Sequence, residues 1–290
     1  MVRLPWQVKV LSKIVLSRLP VSYATWKRLG LFDSGQMDQP EYAYKVFTHH
    51  LRQAGLENRP DLVMLELGPG DAVSSGLIAH LYGMRHSYLV DHQPQASRSL
   101  AVYRRLLDYM AQRGHRDLDL EAADSFEALL SRSHTTYLID GLTSLRQIPA
   151  ASVDFIWSQV ALEMVRLREL QPILLELRRV LRPNGICSHC IDLSDLMVRS
   201  LNNLRFSQSL WESEFMANSG FYTNRLRLSQ YLELFQRTGY QAEVVNLEYW
   251  DRLPVPQQAL HPDYQGFPQE ELRVREVDLL LRPLSSGFHE

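Results

Sequence analysis

The stretch LVMLELGPGDA, residues 62–72, decides the fold. Leu62–Leu67 is a short apolar run of the kind that forms a strand buried on both faces, as in a parallel sheet. Gly68-Pro69-Gly70 follows. Glycine has no Cβ, so the backbone there can turn sharply and come close to a ligand. Val73–Leu81 reads as a helix whose first free N–H groups face the turn and favour a carboxylate or phosphate. A strand, a glycine turn and a helix in that order open a βαβ unit.

Outward from this unit the pattern repeats. Ser87–Val90 is a second apolar run, ending at Asp91, and Ala96–Met110 carries apolar residues at helical spacing. Thr135–Ile139 is a third strand, ending at Asp140, and Val153–Trp157 a fourth. Leu167–Leu181 is an amphipathic helix with Leu170, Ile173, Leu174, Leu177, Val180 and Leu181 on one face. Arg182-Pro183-Asn184-Gly185 stops it, and Ile186–Ile191 is a fifth strand. Ser229–Arg237 reads as a late helix, and Tyr240–Tyr249 and Leu272–Leu281 as two last strands. The alternation predicts an α/β fold with a doubly wound, mostly parallel sheet. The chain divides into an N-terminal helical extension, 1–55, and one domain, 56–290, with a helical cap insertion, 193–227, after strand five.

The 290 residues are 45% hydrophobic and 22% charged, with a formal net charge of −2. That balance gives no electrostatic footprint for nucleic acid, so none is expected as a partner. Cys187 and Cys190 are the only cysteines, so no disulfide framework is implied and a cytoplasmic location is expected. Cys187-Ser188-His189-Cys190 lacks a second Cys/His pair at zinc spacing, and no metal is expected. No run of about 18 apolar residues exists, and Lys9, Lys13 and Arg18 interrupt the N-terminal apolar segment, which argues against a spanning helix or a signal peptide.

In an open parallel sheet, ligands bind beyond the carboxyl ends of the strands. The residues placed there are Glu66 to Gly70, Asp91, Asp140 and Ser158-Gln159. Asp91 follows the turn at the distance where a carboxylate takes ribose hydroxyls. With these residues in place, Leu62 to Asp192 resembles the class I S-adenosylmethionine-dependent methyltransferases. Glu66-Leu67-Gly68-Pro69-Gly70 matches their first motif, and Asp91-His92 their ribose-binding position. Asp140-Gly141-Leu142 matches the segment near the adenine, and Ser158-Gln159-Val160 the fourth-strand loop. The resemblance implies a Rossmann-like methyltransferase fold of seven strands with the last reversed, and S-adenosylmethionine as cofactor, bound by Glu66, Gly68, Pro69, Gly70, Asp91, His92, Asp140, Gly141, Leu142, Ser158, Gln159 and Val160. A nicotinamide-dependent dehydrogenase would want a third glycine where Val73 stands.

The acceptor expected is a small molecule or glycan, methylated on oxygen. The Asn/Asp-Pro-Pro-Tyr/Phe motif found in methyltransferase families that act on amide or nucleobase nitrogens is missing after strand four. His189 is the candidate base, with Asp192 beside it at the end of strand five, because imidazole titrates near neutrality. Trp211, Tyr222, Asn224 and Arg225 in the cap are candidate acceptor-binding residues; the alternative is a cap whose aromatic residues pack inward. Residues 1–30 are basic and amphipathic, which suits packing on the domain or peripheral contact with an anionic membrane. A non-catalytic, methyltransferase-like binding module is the alternative function.

Overall fold

The computed structural model describes residues 35–284, together with Gln7, Ser12 and Arg18. The expectations for residues 1–34 lie outside the described residues except at those three positions.

Seven strands form one sheet in the order β3-β2-β1-β4-β5-β7-β6. They are β1 (Val63–Leu67), β2 (His86–Val90), β3 (Thr135–Leu138), β4 (Val153–Gln159), β5 (Leu181–Asp192), β6 (Tyr240–Tyr249) and β7 (Val274–Pro283). The first five are parallel, and β7 runs antiparallel to both β5 and β6. The helices between them are α1 (Pro40–Gln53), α2 (Ser74–Leu81), α3 (Leu100–Ala111), α4 (Leu118–Glu121), α5 (Phe126–Arg132), α6 (Gly141–Gln147) and α7 (Leu167–Val180). The cap holds two single turns, α8 (Gln208–Trp211) and α9 (Glu214–Ala217). Helix α10 (Leu228–Arg237) precedes β6, and the turns α11 (Pro262–Gln265) and α12 (Gln269–Leu272) precede β7.

The central position of β1 explains its composition: all five residues, Val-Met-Leu-Glu-Leu, are buried. Alternate residues feed two core layers. Met64 and Trp157 pack with Phe47 of α1 and Leu77 of α2 on one face, while Leu65 and Ile156 pack with Leu174 of α7 and Phe235 of α10 on the other. Helix α1 begins with Pro40 in its first turn, where the missing N–H costs nothing. It buries Ala43, Val46, Phe47, His50 and Leu51, one face at helical spacing.

Several boundaries differ from expectation. The amphipathic helix ends at Val180, and β5 begins at once with Leu181 paired to Val153. The Arg182–Gly185 stop loops out as an irregularity before Ile186 pairs with Phe155. Helix α3 begins at Leu100, later than expected, because Ser97 N–H is held by Asp71 O at 2.8 Å and Ser99 supplies an extended cap. Leu272 ends the turn α12 instead of opening a strand. The one-turn helix α4 and helix α5 were not foreseen, since neither carries a long amphipathic pattern.

The cap is fastened to the sheet by Arg227, which is fully buried. Its guanidinium donates to the carbonyls of Leu193 (2.8 Å), Glu271 (3.2 Å), Leu272 (3.4 Å) and Val274 (2.7 Å). Burial lowers its pKa to about 10, so it stays charged at neutral pH. Replacing it strands buried carbonyls, each of which costs on the order of 1–3 kcal/mol. Arg227→Met is therefore expected to lower stability by roughly 3 kcal/mol or more in urea denaturation. Exposed Arg237→Met, which loses only an i,i+4 ion pair with Glu233, should change it by less than about 0.5 kcal/mol.

Candidate functional site

The site lies at the carboxyl ends of β1, β2 and β4. Gly68 and Gly70 sit at φ +78° and +68°, in the left-handed region that only glycine enters freely. Gly68 N–H bonds Val90 O at 2.8 Å and ties the turn to β2. A Cβ on Gly68 would stand 2.8 Å from the Ala161 Cβ, so the turn after β1 and the loop after β4 meet with no room for a side chain. Val160, in that loop, has φ +53°, a strained conformation for a β-branched residue, and its N–H is held by Cys190 O at 2.9 Å.

Glu66 is buried at the end of β1, and Ser75 at the start of α2 hydrogen-bonds its Oε2. Burial pushes its pKa up to about 8, opposed by the Ser75 bond. Ser74 Oγ donates to Met37 O at 2.6 Å, so the segment just before α1 crosses the first turn of α2. Asp91 is buried, and its Oδ1 accepts from His92 N (2.7 Å) and from His92 Nδ1 (2.8 Å). That bond raises the His92 pKa. Gly141 N–H bonds Asp91 O at 2.8 Å and so brings Asp140, Gly141 and Leu142 beside Asp91 and His92. Asp140 is itself exposed.

Gln159, at the end of β4, rests on a buried chain of polar groups. His50 Nε2 faces Gln159 Oε1 at 3.0 Å, and His50 Nδ1 faces Ser188 Oγ at 2.8 Å. Ser188 Oγ donates to Gln53 Oε1 at 3.1 Å, and Gln53 Nε2 donates to Asp278 Oδ2 at 3.0 Å. Burial lowers His50 to about 4, so its ring is neutral. Ser188 has spent its only hydrogen on Gln53, so His50 Nδ1 must carry the proton and Nε2 must accept. The Gln159 amide accordingly presents its NH2 to His50.

His189 was expected to face the crevice, and instead it lies wholly inside the sheet. Its Nδ1 is 2.7 Å from Ser158 Oγ, its ring stacks on Phe235, and burial pushes its pKa down to about 3. The ring lies within the sheet, stacked on Phe235, with its Nδ1 committed to Ser158, so a base at this position is corrected to a core histidine. Ser158 is occupied by the same bond and is fully buried, away from the crevice. Asp192 is half-buried at the end of β5; its Oδ1 accepts from Ser194 N at 2.8 Å.

The four cap residues are also corrected. Trp211 Nε1 donates to Thr223 O at 2.7 Å, and Tyr222 is buried between Leu167 N and the Glu212 carboxylate. Asn224 Nδ2 donates to Leu162 O at 2.9 Å and its Oδ1 accepts from Tyr231 OH at 2.9 Å. Arg225 donates to the carbonyls of Asn203 and Phe206 and to Gln208, between the rings of Trp211 and Tyr264. All four are buried and bonded within the protein. The inward-packing cap is the arrangement found. Val73 is fully buried where a dinucleotide fingerprint would need glycine, which removes the dehydrogenase alternative.

The sequence reading missed Tyr42, His50, Ser75, Glu163 and Glu276. Only Glu163 carried a local signal, an acid within the apolar run Val-Ala-Leu-Glu-Met-Val.

A family described as "Methyltransferase domain" matches residues 101–189. Among solved structures, an arsenic(III) S-adenosylmethionine methyltransferase from Chlamydomonas reinhardtii is similar at 16% identity and a TM-score of 0.47, over 97% of this chain and 75% of that one. The YcgJ protein of Bacillus subtilis is similar at 12% identity and a TM-score of 0.47, over 84% of this chain and 100% of that one. A phosphoethanolamine N-methyltransferase of Haemonchus contortus, in complex with S-adenosylmethionine, aligns at 15% identity and a TM-score of 0.46, over 83% of this chain and 53% of that one. No curated protein matches. The family match covers residues 101–189, within the five parallel strands, and the seven-stranded sheet with its reversed β7 is the fold that the sequence resemblance implies.

Two expectations follow from the turn. Gly68→Ala costs about 1–2 kcal/mol for the left-handed backbone, plus the contact with Ala161. In the double variant Gly68→Ala/Ala161→Gly the contact is gone, so urea denaturation should find it more stable than the single variant and less stable than the parent. Glu66 keeps its proton in the folded state up to about pH 8, against 4.5 as its ordinary value. Its contribution to stability is therefore full below about pH 4.5 and is lost as pH rises toward 8, by up to about 1.4 kcal/mol per pH unit. Glu66→Gln should flatten that slope in denaturation measured from pH 5 to 9.

Proposed function

We propose that the chain transfers the methyl group of S-adenosylmethionine to a small-molecule or glycan acceptor, with the donor lying across the carboxyl ends of β1, β2 and β4. The observation that carries this reading is the convergence of a left-handed glycine turn and the Asp91 carboxylate at adjacent strand ends, joined by the Gly68 N–H to Val90 O bond. S-adenosylmethionine supplies a methyl on a sulfonium, already a good leaving group. The protein's share is binding, orientation and exclusion of water.

In this reading Asp91 takes the ribose hydroxyls, and His92, held on Asp91 Oδ1, walls the adenosine together with Gly141 and Leu142. Gly68, Pro69 and Gly70 let the backbone approach the methionine portion, which borders the Gln159-Val160 loop. Glu66 is the buried acid behind the turn, and it ionises when a cation arrives. The segment before α1, anchored by Met37 O on Ser74, covers the turn from solvent. In this reading His189, stacked on Phe235 within the sheet and bonded to Ser158, does not serve as the base. Among the described residues, no helix is long and apolar enough to cross a membrane. The expected membrane contact of residues 1–30 falls outside the described residues.

Calorimetry with S-adenosylmethionine tests the reading directly: micromolar binding is expected, and no binding would sink it. Asp91→Ala should weaken that binding by roughly 10- to 100-fold, the loss of about 1.5–3 kcal/mol from hydrogen bonds to a charged group. Methyl transfer to any acceptor would separate an enzyme from a binding module.

A further inference from the structure

The reversal of β7 brings acidic side chains together beside the methyl-donor site. Asp192 at the end of β5 is the direct cross-strand partner of Glu276 on β7, and Glu276 is in turn paired with Glu248 on β6. Paired residues in antiparallel strands share a face, and like charges set opposite one another are destabilising. Arg275 offsets one of them through its ion pair with Glu248. Glu163 adds a further acid from the turn after β4, where its Oε1 accepts Asp192 N–H at 3.3 Å. Glu163 is only 2% exposed, yet its Oε2 has no hydrogen-bond partner. Such an atom destabilises the resting fold while it stays unpaired. Among the described residues, none of Glu163, Asp192 and Glu276 makes an ion pair, and no three acidic, histidine or cysteine side chains converge as metal ligands.

The position matters as much as the charge. Glu163 follows Ala161 by two residues, and Ala161 is the residue that touches Gly68. With the donor placed as proposed, the acidic group borders the loop that flanks the methyl. Tyr42 on α1 lies near Glu276; burial raises its phenol, helped by Cys190, Glu276 and Asp71, with Arg199 opposing. Arg227 and Arg275 lie near Asp192, but the first is committed to carbonyls and the second to Glu248.

We infer that this carboxylate group is the acceptor subsite and that it takes an amine, with Glu163 as the group that binds the ammonium and removes its proton. The inference rests on the proposed methyl transfer and names its acceptor atom. An alkylammonium acceptor gives one proton to the Glu163 carboxylate. The freed nitrogen lone pair forms the new N–C bond to the methyl, and the C–S bond breaks with its electron pair staying on sulfur. The products are S-adenosylhomocysteine, a methylated ammonium and protonated Glu163, so charge and protons balance. Burial raises the Glu163 pKa well above its ordinary value, so the carboxyl is protonated at low pH, becomes the ammonium-binding base as it ionises, and turnover rises with pH.

The test uses the full chain and pairs of probes. In the presence of S-adenosylhomocysteine, calorimetry compares benzylamine with benzyl alcohol and tetramethylammonium with neopentyl alcohol. The ammonium member of each pair should bind at least 10-fold more tightly, and Glu163→Gln should erase that preference while binding S-adenosylmethionine within about threefold of the parent. Equal or absent binding of the ammonium members overturns the inference. So does a Glu163→Gln variant that keeps the preference, or one that loses S-adenosylmethionine, which would assign Glu163 to the donor site. Failure of the parent to bind S-adenosylmethionine would instead defeat the methyltransferase reading itself. With methyl-labelled donor, an alcohol labelled in preference to its amine counterpart would also overturn it.

Discussion

The site depends on one close approach, the contact of Gly68 with Ala161. The turn after β1 and the loop after β4 come from neighbouring strands, and 2.8 Å is all the space a Cβ on Gly68 would have. This approach needs a glycine at φ +78° on one side and a small residue on the other. It also explains why Val160 is driven into a left-handed conformation that a β-branched residue rarely adopts, with Cys190 O holding its N–H. Strain of order 1–3 kcal/mol persists only where surrounding bonds over-determine it, and such places cluster at functional sites.

Around this contact the polar interior is arranged in two ways. Some buried groups are fully committed. Arg227 binds four carbonyls, Arg225 and Asn224 stitch the cap together, and His50 joins Gln159 to Ser188 in a chain that ends on Asp278. These groups hold elements in place and have nothing left for a ligand. Others are buried with capacity to spare. Glu66 and Glu163 carry carboxyls that burial holds above the ordinary range, and Glu163 keeps an unpartnered oxygen. A buried acid with spare capacity costs free energy in the resting fold, and a cationic ligand would offset that cost.

Much of the framework around the candidate donor site was legible in the sequence, because it is local. The apolar run of β1, the two glycines and Asp91 all follow from patterns within about thirty residues, strand alternation was enough to predict a doubly wound sheet, and the reversal of the last strand came from the family resemblance. The availability of the candidate acceptor residues was misread for a single reason. Sequence gives chemical type, while burial and partners decide availability. His189 titrates near neutrality in water, but under Phe235 it is a neutral core residue. Trp211, Tyr222, Asn224 and Arg225 have the composition of a binding surface, yet each spends its polar groups on the cap's own backbone or on neighbouring side chains.

The sequence by itself determined the βαβ order, the glycine turn and the acid at the end of β2, since each depends on neighbours a few positions away. Only the tertiary structure decided which polar residues remain open to a ligand. Glu163, Asp192 and Glu276 are far apart along the chain, and no periodicity links them. They meet because β7 enters the sheet backwards beside β5, and antiparallel pairing sets Glu276 opposite Asp192 while the turn after β4 delivers Glu163 to the same strand end.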